Sequence, residues 1–210
     1  MKELPVFDMF YSIQGEGEYV GMPAFFIRLA GCNVGCDFCD EKRAWQTKPD
    51  MIMKVEQIIA KVRGNKARNV VITGGEPSLY DLNLLTKSLK EIGIRVFLET
   101  SGVNRILGDF FHITLSPKQN KEPLLQADTT TGKTYFANPV NSLKVVIAEP
   151  KDFIFAEKMA NFIKNKEKVS FFIQPEWSKT QTILPQIIDY VKQNNLWSVS
   201  LQMHKYMNIK

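Results

Sequence analysis

The cysteines of this 210-residue chain, Cys32, Cys36 and Cys39, all lie in the segment GCNVGCDFC (31–39). Their C-x3-C-x2-C spacing allows one loop to wrap three sulfurs around one metal centre. A cubane iron–sulfur cluster held by three thiolates has one iron without a protein ligand, and that open iron can chelate a substrate or cofactor. The alternative is a structural zinc site completed by a carboxylate or by a distant histidine such as His204. The spacing alone favours the cluster.

The other segments that could do chemistry each follow a predicted strand. They are TGGEP (73–77), ETSG (99–102), SPK (116–118) and QP (174–175). The carboxyl ends of parallel strands meet at one rim, which is where ligands bind in α/β proteins. Taken singly, each segment is equally typical of a tight turn or a strand end. Together with the cysteine loop they predict a single site.

Short β-branched or aromatic runs alternate with helical patterns along the chain. Strands are predicted at 24–31, 69–75, 94–100, 111–117, 142–147, 169–175 and 197–202. Helices are predicted near 55–62, 81–92, 151–165 and 181–194. This alternation implies a mostly parallel sheet, and seven strands at most favour an incomplete barrel over a closed eightfold one of ~250 residues. The polar stretch 118–141 is predicted to be a loop or insertion.

Composition is that of an ordinary globular protein, with 44% hydrophobic and 23% charged residues. The length suits one domain spanning 1–210, and no interdomain linker is evident. No apolar run approaches the ~20 residues of a membrane span, and the start MKELPVFD lacks the apolar core of a secretory signal. We therefore expect a cytoplasmic protein whose thiols stay reduced.

The net charge of +5 raises the question of nucleic-acid binding. Lys and Arg are scattered, and the densest basic patches, KQNKE (118–122) and KNKEK (164–168), also carry acidic residues. No basic strip is interleaved with stacking aromatics, as a nucleic-acid surface would require. A basic surface that attracts anionic metabolites is the favoured interpretation.

The cysteine spacing after a strand, with GGEP downstream, resembles the radical S-adenosylmethionine (SAM) enzymes. The resemblance implies an α/β fold in the form of an incomplete, partly open parallel (β/α) barrel. It also implies a 4Fe–4S cluster on Cys32, Cys36 and Cys39, whose open iron chelates the amino and carboxylate groups of SAM. Reductive cleavage of the sulfonium then provides the hydrogen-abstracting species, so that the cofactor carries the radical chemistry.

The same resemblance assigns further residues to SAM. Gly74, Gly75 and Glu76 belong to a glycine turn that lines the SAM amino group through backbone atoms, an approach that glycine permits. The other predicted SAM contacts are Phe38, Glu99, Ser101, Ser116, Lys118 and Gln174.

A narrower resemblance covers nearly the whole chain. FYSIQGEGEYVGMPAFFIRLAGCNVGCDFCD (10–40) and LQMHKY (201–206) resemble a branch that contracts the ring of 6-carboxy-5,6,7,8-tetrahydropterin with loss of ammonia, on the route to queuosine and related 7-deazapurines. SIQGEG is the most discriminating string, because other branches do not share it. The resemblance implies a homodimer, a Mg²⁺ ion, catalytic use of SAM, and an electron donor such as flavodoxin or ferredoxin. It implies no direct contact with nucleic acid or membrane.

A pterin presents a planar edge of hydrogen-bond donors and acceptors, and the resemblance supplies residues to meet it. The predicted substrate contacts are Ile13, Gln14, Gly15, Glu16, Arg28, Thr73 and His204. Gln14 and Glu16 are expected to hydrogen-bond the edge, with Gly15 and Gly17 allowing close approach. The alternative is a polar turn between two strands.

Two of these residues have specific alternatives. Arg28 interrupts an apolar strand, where an unpaired cation is costly, and a bidentate pair with the substrate carboxylate would satisfy it. The alternative partner is an internal carboxylate. His204 is expected near the substrate or SAM, or else on the surface of a loose tail.

The chain departs from the family pattern after its last cysteine. The family usually reads CDT, with the threonine hydroxyl on Mg²⁺, whereas this chain has Asp40 and Glu41. A carboxylate is a good ligand for a hard cation, so we expect Glu41 to hold Mg²⁺. Alternatively, its bulk and charge displace the metal or change which metal is preferred.

Two other functions stay open on the sequence alone. Another radical SAM enzyme, such as an activase for a glycyl-radical partner, would share the cysteines but has no need of SIQGEG or the histidine tail. A non-enzymatic zinc- or cluster-bearing protein that binds RNA would show steeply salt-dependent RNA affinity and no SAM cleavage.

Overall fold

The computed structural model describes residues 2–210, which form a nine-stranded sheet, a separate two-stranded hairpin and five α-helices. The strands are β1 (Glu3–Ile13), β2 (Pro23–Leu29), β3 (Ile52–Lys54), β4 (Asn69–Gly74), β5 (Arg95–Thr100), β6 (His112–Leu115), β7 (Leu125–Ala127), β8 (Thr134–Phe136), β9 (Ser142–Ile147), β10 (Ser170–Pro175) and β11 (Trp197–Val199). The α-helices are α1 (Val55–Arg63), α2 (Asn83–Glu91), α3 (Asp152–Asn161), α4 (Thr180–Gln193) and α5 (Met203–Tyr206). No helix in this described part of the chain is long and apolar enough to cross a membrane.

The large sheet has the strand order β11-β10-β9-β6-β5-β4-β2-β1-β3. Every neighbouring pair from β11 to β2 is parallel, whereas β1 runs antiparallel to both β2 and β3. The seven parallel strands coincide with the seven predicted ones, and their open order confirms the incomplete parallel barrel. Strands β1 and β3 are additions to the prediction, because β1 mixes apolar and polar residues without clear alternation and β3 has only three residues.

The crossover helices are amphipathic, which explains why they pack on the sheet. The buried positions of α1 recur at helical spacing, at Val55, Ile58, Ile59 and Val62. In α2 the same role falls to Leu85 and Leu89. The side chain of Gln57 accepts the N–H of Lys54 at 2.9 Å and caps the start of α1. Each large apolar side chain buried in this way contributes about 1.5–3 kcal/mol, and the packed helices hold the strand ends in place.

The stretch 118–141, predicted as a loop or insertion, contains the hairpin of β7 and β8. The carboxylate of Asp128 accepts the N–H groups of Thr130 and Thr131 at 3.0 and 3.1 Å, which shapes the turn between the two strands. The strands have three residues each, too few for an alternating pattern to be visible in the sequence.

Residues 14–17 connect the β1 side of the large sheet to its β11 edge. The carbonyl of Gly15 accepts the N–H of Met203 at 2.9 Å, and the N–H of Gly17 donates to the Ser200 hydroxyl at 2.9 Å. These bonds join the chain that follows β1 to the chain that follows β11. Segments near both termini thus enclose the carboxyl ends of the parallel strands.

Candidate active site

A cavity of about 310 Å³ lies at the carboxyl ends of the parallel strands. Every residue that the sequence assigns to the cluster, Mg²⁺, SAM or substrate lines it, and all five rim segments contribute. The prediction that these segments converge is therefore correct. The contacts of individual residues with SAM, Mg²⁺ or substrate stay predictions.

The three cysteines are free, half-buried thiols on one loop. The indole N–H of Trp45 donates to Cys39 Sγ at 3.2 Å, and the N–H of Val34 lies 3.5 Å from Cys32 Sγ. Burial raises the pKa of the Cys36 thiol, although the Lys118 ammonium opposes the shift. N–H donors aimed at sulfur stabilise the thiolates of an iron–sulfur centre, so this donor set fits a cluster with three cysteine ligands.

The geometry does not favour the zinc alternative. A zinc ion draws four ligands to a single point, whereas a cubane binds each thiolate through a different iron. Among residues 2–210, no three His, Cys, Asp or Glu side chains are gathered closely enough to hold one ion. His204, the suggested fourth ligand, packs against Gly15 instead.

The start of the 118–141 stretch holds the cysteine loop from outside. The side-chain amide of Asn120 donates to the carbonyls of Val34 and Gly35 at 2.9 and 2.7 Å. The ammonium of Lys121 donates to the carbonyl of Asn33 at 2.7 Å. These bonds satisfy backbone oxygens between the first two cysteines and limit the movement of the loop.

Gly74 and Gly75 are required by packing between backbones. A Cβ on Gly74, whose φ is +144°, would lie 2.2 Å from the Leu29 carbonyl oxygen. A Cβ on Gly75 would lie 2.1 Å from the carbonyl oxygen of Gly31, at the start of the cysteine loop. The sequence analysis explained these glycines by the close approach of SAM. The structure adds a different cause, which is the contact of the β4 turn with the end of β2.

We expect Gly75→Ala to destabilise the protein by about 3 kcal/mol, because neither backbone can yield without moving the cysteine loop. The melting temperature should fall by roughly 10 °C. Gly64→Ala is the matched control, since a Cβ there meets only ordinary contacts of 3.5 and 3.7 Å at the end of α1. Equal melting temperatures for the two variants would contradict the packing explanation.

Glu76 links the glycine turn to the end of β5. Its buried carboxylate accepts the N–H of Ser78 at 2.9 Å and the N–H of Ser101 at 2.8 Å. The hydroxyls of Thr100 and Ser101 also donate to it. The side chains of Glu76 and Ser101 thus satisfy each other, and they fix the ends of β4 and β5 relative to each other.

Lys118 lies on the β6 side of the cavity. Its ammonium donates to the carbonyl and the hydroxyl of Ser116 at 2.6 and 2.7 Å. Burial lowers the pKa of Lys118, and the neighbouring Cys36 opposes the shift.

On the β10 side of the cavity, Gln174 is buried, and its side-chain oxygen accepts the Ser200 hydroxyl at 2.8 Å.

Glu16 and Glu99 share a buried cation that the sequence analysis did not identify. The ammonium of Lys144, on β9, contacts Glu16 and lies 3.1 Å from Glu99. Burial opposes the charge on Glu16, but Lys144 and a hydrogen bond from Gln202 outweigh it and lower the pKa of Glu16 to about 2. Burial raises the pKa of Glu99, which Lys144 offsets only in part. The sequence feature that could have indicated this buried cation is the single lysine, Lys144, within the apolar run SLKVVI.

Arg28 is half-buried in β2 and faces the cavity. No hydrogen bond or ion pair joins its guanidinium to any residue in the described range, which disfavours the internal salt bridge. The guanidinium is thus available to an anionic ligand.

His204 is held in α5 and does not belong to a loose tail. A Cβ on Gly15 would lie 2.3 Å from His204 Nδ1, so the absence of a side chain at Gly15 makes room for this imidazole. From the sequence alone, Gly15 is expected to make room for the substrate. Burial lowers the pKa of His204, with Glu16 opposing, so the imidazole is neutral near pH 7.

Glu41 lines the cavity with its carboxylate already paired. Arg43 donates through Nε and Nη2 to the two oxygens of Glu41, at 2.7 and 2.6 Å. These hydrogen bonds lower the pKa of Glu41. The Arg43 side chain is 80% exposed, so it can leave the carboxylate at little cost in packing.

Comparison with known proteins agrees with this geometry. Residues 26–123 match the Radical SAM superfamily. A 7-carboxy-7-deazaguanine synthase of Flavobacterium psychrophilum is 42% identical over 206 residues, which cover 98% of this chain and 92% of the relative. The protein of that name from Escherichia coli K12 is 33% identical over 233 residues, covering 99% of both chains. This chain belongs to the 7-carboxy-7-deazaguanine synthase family.

A solved structure supports the assignment to the 7-carboxy-7-deazaguanine synthase family. The crystal structure of QueE from Escherichia coli superposes with a TM-score of 0.81 at 28% identity, over 96% of this chain and 95% of that one. The radical SAM resemblance is therefore confirmed, and the family implies a 4Fe–4S cluster and SAM. The glycyl-radical activase and the RNA-binding protein are not favoured.

One side-chain amide connects the cysteine loop to the predicted substrate contacts. The side chain of Gln202 donates to Glu16 Oε1 and to Asp40 Oδ2, both at 2.9 Å. Asp40 follows Cys39 directly and also pairs with Lys205 at 2.7 Å. Nothing in the local sequence pattern of the tail signals these contacts.

Proposed function

We propose that this protein converts 6-carboxy-5,6,7,8-tetrahydropterin into 7-carboxy-7-deazaguanine with loss of ammonia. The observation that carries the proposal is the unpaired guanidinium of Arg28, which faces the same cavity as the three cysteines in a chain of this family. When bound, the cluster and SAM supply the one-electron cleavage and hydrogen transfer that the ring contraction needs.

The substrate is held by charge and by hydrogen bonds. Arg28 binds the pterin carboxylate in a bidentate pair. Glu16, ionised at neutral pH, accepts the N–H groups of the pterin edge. Gln14 presents its side-chain amide to the same edge of the pterin. The amide oxygen accepts the N–H of Glu16 at 3.3 Å, and the amide nitrogen donates to Glu99 at 3.4 Å, which together orient the group. The neutral imidazole of His204 and the side chain of Ile13 complete this end of the cavity, with Thr73 on β4.

SAM occupies the end of the cavity nearer the cysteine loop. We expect the backbone of the turn Gly74–Glu76 to receive its amino group, and Ser116 and Lys118, which line the same cavity, to bind its other polar groups. Phe38, which is 39% exposed, offers an aromatic face that SAM binding would cover. Glu99 and Ser101 contribute from the end of β5, where Glu76 accepts the N–H of Ser101, and Gln174 contributes from the end of β10, where it accepts the Ser200 hydroxyl.

Turnover by the reconstituted protein tests the proposal. The anaerobic assay contains SAM, dithionite, Mg²⁺ and the carboxytetrahydropterin, with products identified by mass spectrometry. We expect 7-carboxy-7-deazaguanine to form without matching loss of SAM. Slow cleavage of SAM to 5′-deoxyadenosine with the pterin untouched would leave the radical SAM assignment intact and overturn the substrate.

Mg²⁺ is the second part of the proposal, with Glu41 as its protein ligand. The carboxylate is a hard oxygen donor, lines the cavity, and has a lowered pKa. Arg43 competes for the same oxygens and must swing into solvent, which its 80% exposed side chain allows.

We expect Arg43→Met to lower the Mg²⁺ concentration needed for half-maximal binding by about tenfold, because the competing cation is gone. Glu41→Thr should raise it. Mn²⁺ in place of Mg²⁺ allows binding to be measured by electron paramagnetic resonance without turnover. Full activity in chelator that is unchanged by Glu41→Thr would overturn this part of the proposal.

The proposal also includes a single domain over 1–210, a cytoplasmic location, a homodimer and an electron donor such as flavodoxin or ferredoxin. A radical SAM enzyme needs a reductant, which supports the donor. Light scattering of the purified protein tests the dimer. Replacement of dithionite by a reduced flavodoxin or ferredoxin in the same assay tests the donor.

A further inference from the structure

Lys144 is a buried cation in the cavity to which no step has been assigned. It is the third residue of β9 and is 5% exposed. Its ammonium lies between Glu16, on the segment that follows β1, and Glu99, on β5, at 3.1 Å from the latter. A buried ammonium is retained in a protein only where partners offset its desolvation. Here Glu16 is a proposed substrate contact, and Glu99, a proposed SAM contact, accepts the side-chain amide of Gln14 at 3.4 Å on the substrate side.

The group of Lys144, Glu16 and Glu99 places one ammonium between two carboxyl groups. The other titratable groups that act on Glu16 are His204 on α5, whose imidazole is neutral near pH 7, and Lys118 beyond β6. Gln202 contributes a neutral N–H donor at 2.9 Å. Lys144 is thus the one cation of the described residues in hydrogen-bond contact with Glu16.

The donor edge of a pterin needs an acceptor that carries no proton. Two neighbouring buried carboxylates without a cation between them share a proton, because both cannot stay ionised in a low-dielectric site. A protonated Glu16 would present a donor to the N–H groups of the pterin. The cation between Glu16 and Glu99 prevents this.

We propose that Lys144 is a positioning residue that keeps Glu16 an ionised acceptor for the pterin edge and thereby makes substrate binding independent of pH in the neutral range. This inference rests on the proposed function and adds a specific device to its substrate site. Lys144 touches the two carboxylates and acts on the substrate through them.

The test compares the reconstituted wild type with Lys144→Met, Lys144→Arg and the double variant Lys144→Met/Glu99→Gln. Equilibrium binding of the carboxypterin in the presence of SAM, and KM and kcat, are measured from about pH 5.5 to about pH 8. In the wild type Glu16 stays ionised throughout, so the affinity of the protein for the pterin should be flat wherever His204, whose pKa burial lowers, stays neutral. In Lys144→Met the Glu16 pKa rises into this range, so the affinity should fall as the pH falls, by up to about tenfold per pH unit.

Three further readouts separate this role from a structural one. We expect the KM for SAM to stay within about twofold of wild type in Lys144→Met, and Lys144→Arg to restore the flat profile. The double variant removes the repelling carboxylate, so its acid limb should move back to lower pH. It also keeps the inference testable if Lys144→Met alone fails to fold.

A flat profile for Lys144→Met, or an acid limb that the double variant leaves unchanged, would overturn the inference while the proposed function stands. Equal increases in the KM for SAM and for the pterin in both the Met and Arg variants would also overturn it, since they indicate a structural role. Wild-type protein that does not bind the pterin at all would overturn the proposed function itself.

Discussion

Replacement of Arg28 by methionine is expected to weaken binding of the carboxypterin by about 10²–10³-fold and to stabilise the ligand-free protein. The guanidinium faces the cavity without an ion pair or hydrogen bond to residues 2–210, so we expect its partner to be the carboxylate of the ligand. Loss of one member of a buried charge pair costs about 2–5 kcal/mol, which gives the expected loss of affinity. In the free protein the same change removes a half-buried cation that contacts no counter-ion and feels the Glu41 carboxylate only at longer range, and we expect this to be worth about 1 kcal/mol.

Two measurements on Arg28→Met check that ligand affinity falls while the stability of the ligand-free protein rises. Equilibrium binding to the SAM-loaded protein gives the affinity, and thermal unfolding of the free protein should show a rise in the melting temperature of about 3 °C. Arg28→Lys retains the charge without the bidentate geometry and should bind with intermediate affinity. Arg105→Met, at an exposed position outside the cavity lining, is the matched control. Unchanged affinity, or a lower melting temperature for Arg28→Met, would contradict this role.

The sequence predicted the parts of the site that depend on local patterns. The seven parallel strands are short apolar runs ending at polar or glycine residues, and that pattern alone places the rim. The three cysteines are recognised by their spacing within one loop. Because strand ends of a parallel sheet share one edge, the convergence of the five segments also followed from the sequence.

The parts that could not be predicted depend on contacts between distant residues. The ion pair of Lys144 with Glu16 joins residues 128 positions apart, and the bond from Gln202 to Glu16 spans 186 positions. No periodicity encodes such pairs. The reason for Gly75 was likewise hidden, because the carbonyl it approaches belongs to Gly31 on another strand end. The local sequence pattern identified Glu16 and Gly75 as site residues but did not reveal the contacts that require them.

The second large effect is expected for Cys36→Ser, which should abolish the cluster and reduce product formation by at least about 10³-fold. A serine oxygen is a poor ligand for iron of a 4Fe–4S cluster, and the protein has no other group that supplies this chemistry. Cys36 is half-buried on a loop fastened by Asn120 and Lys121, so the fold should survive the change. Iron and sulfide content, visible absorption and the melting temperature measure these outcomes separately.

Trp45→Phe is the control that distinguishes a ligand from a neighbour of a ligand. It removes the N–H that lies 3.2 Å from Cys39 Sγ and leaves all three thiols in place. We expect this variant to keep its full iron content and to have a more negative cluster potential, since hydrogen bonds to sulfur favour the reduced state. Cys36→Ser protein that retained a complete cluster and full activity would contradict the three-cysteine assignment. Trp45→Phe protein with an unchanged potential would show that the indole contact has no electronic effect, and the cysteine ligands would be unaffected by that result.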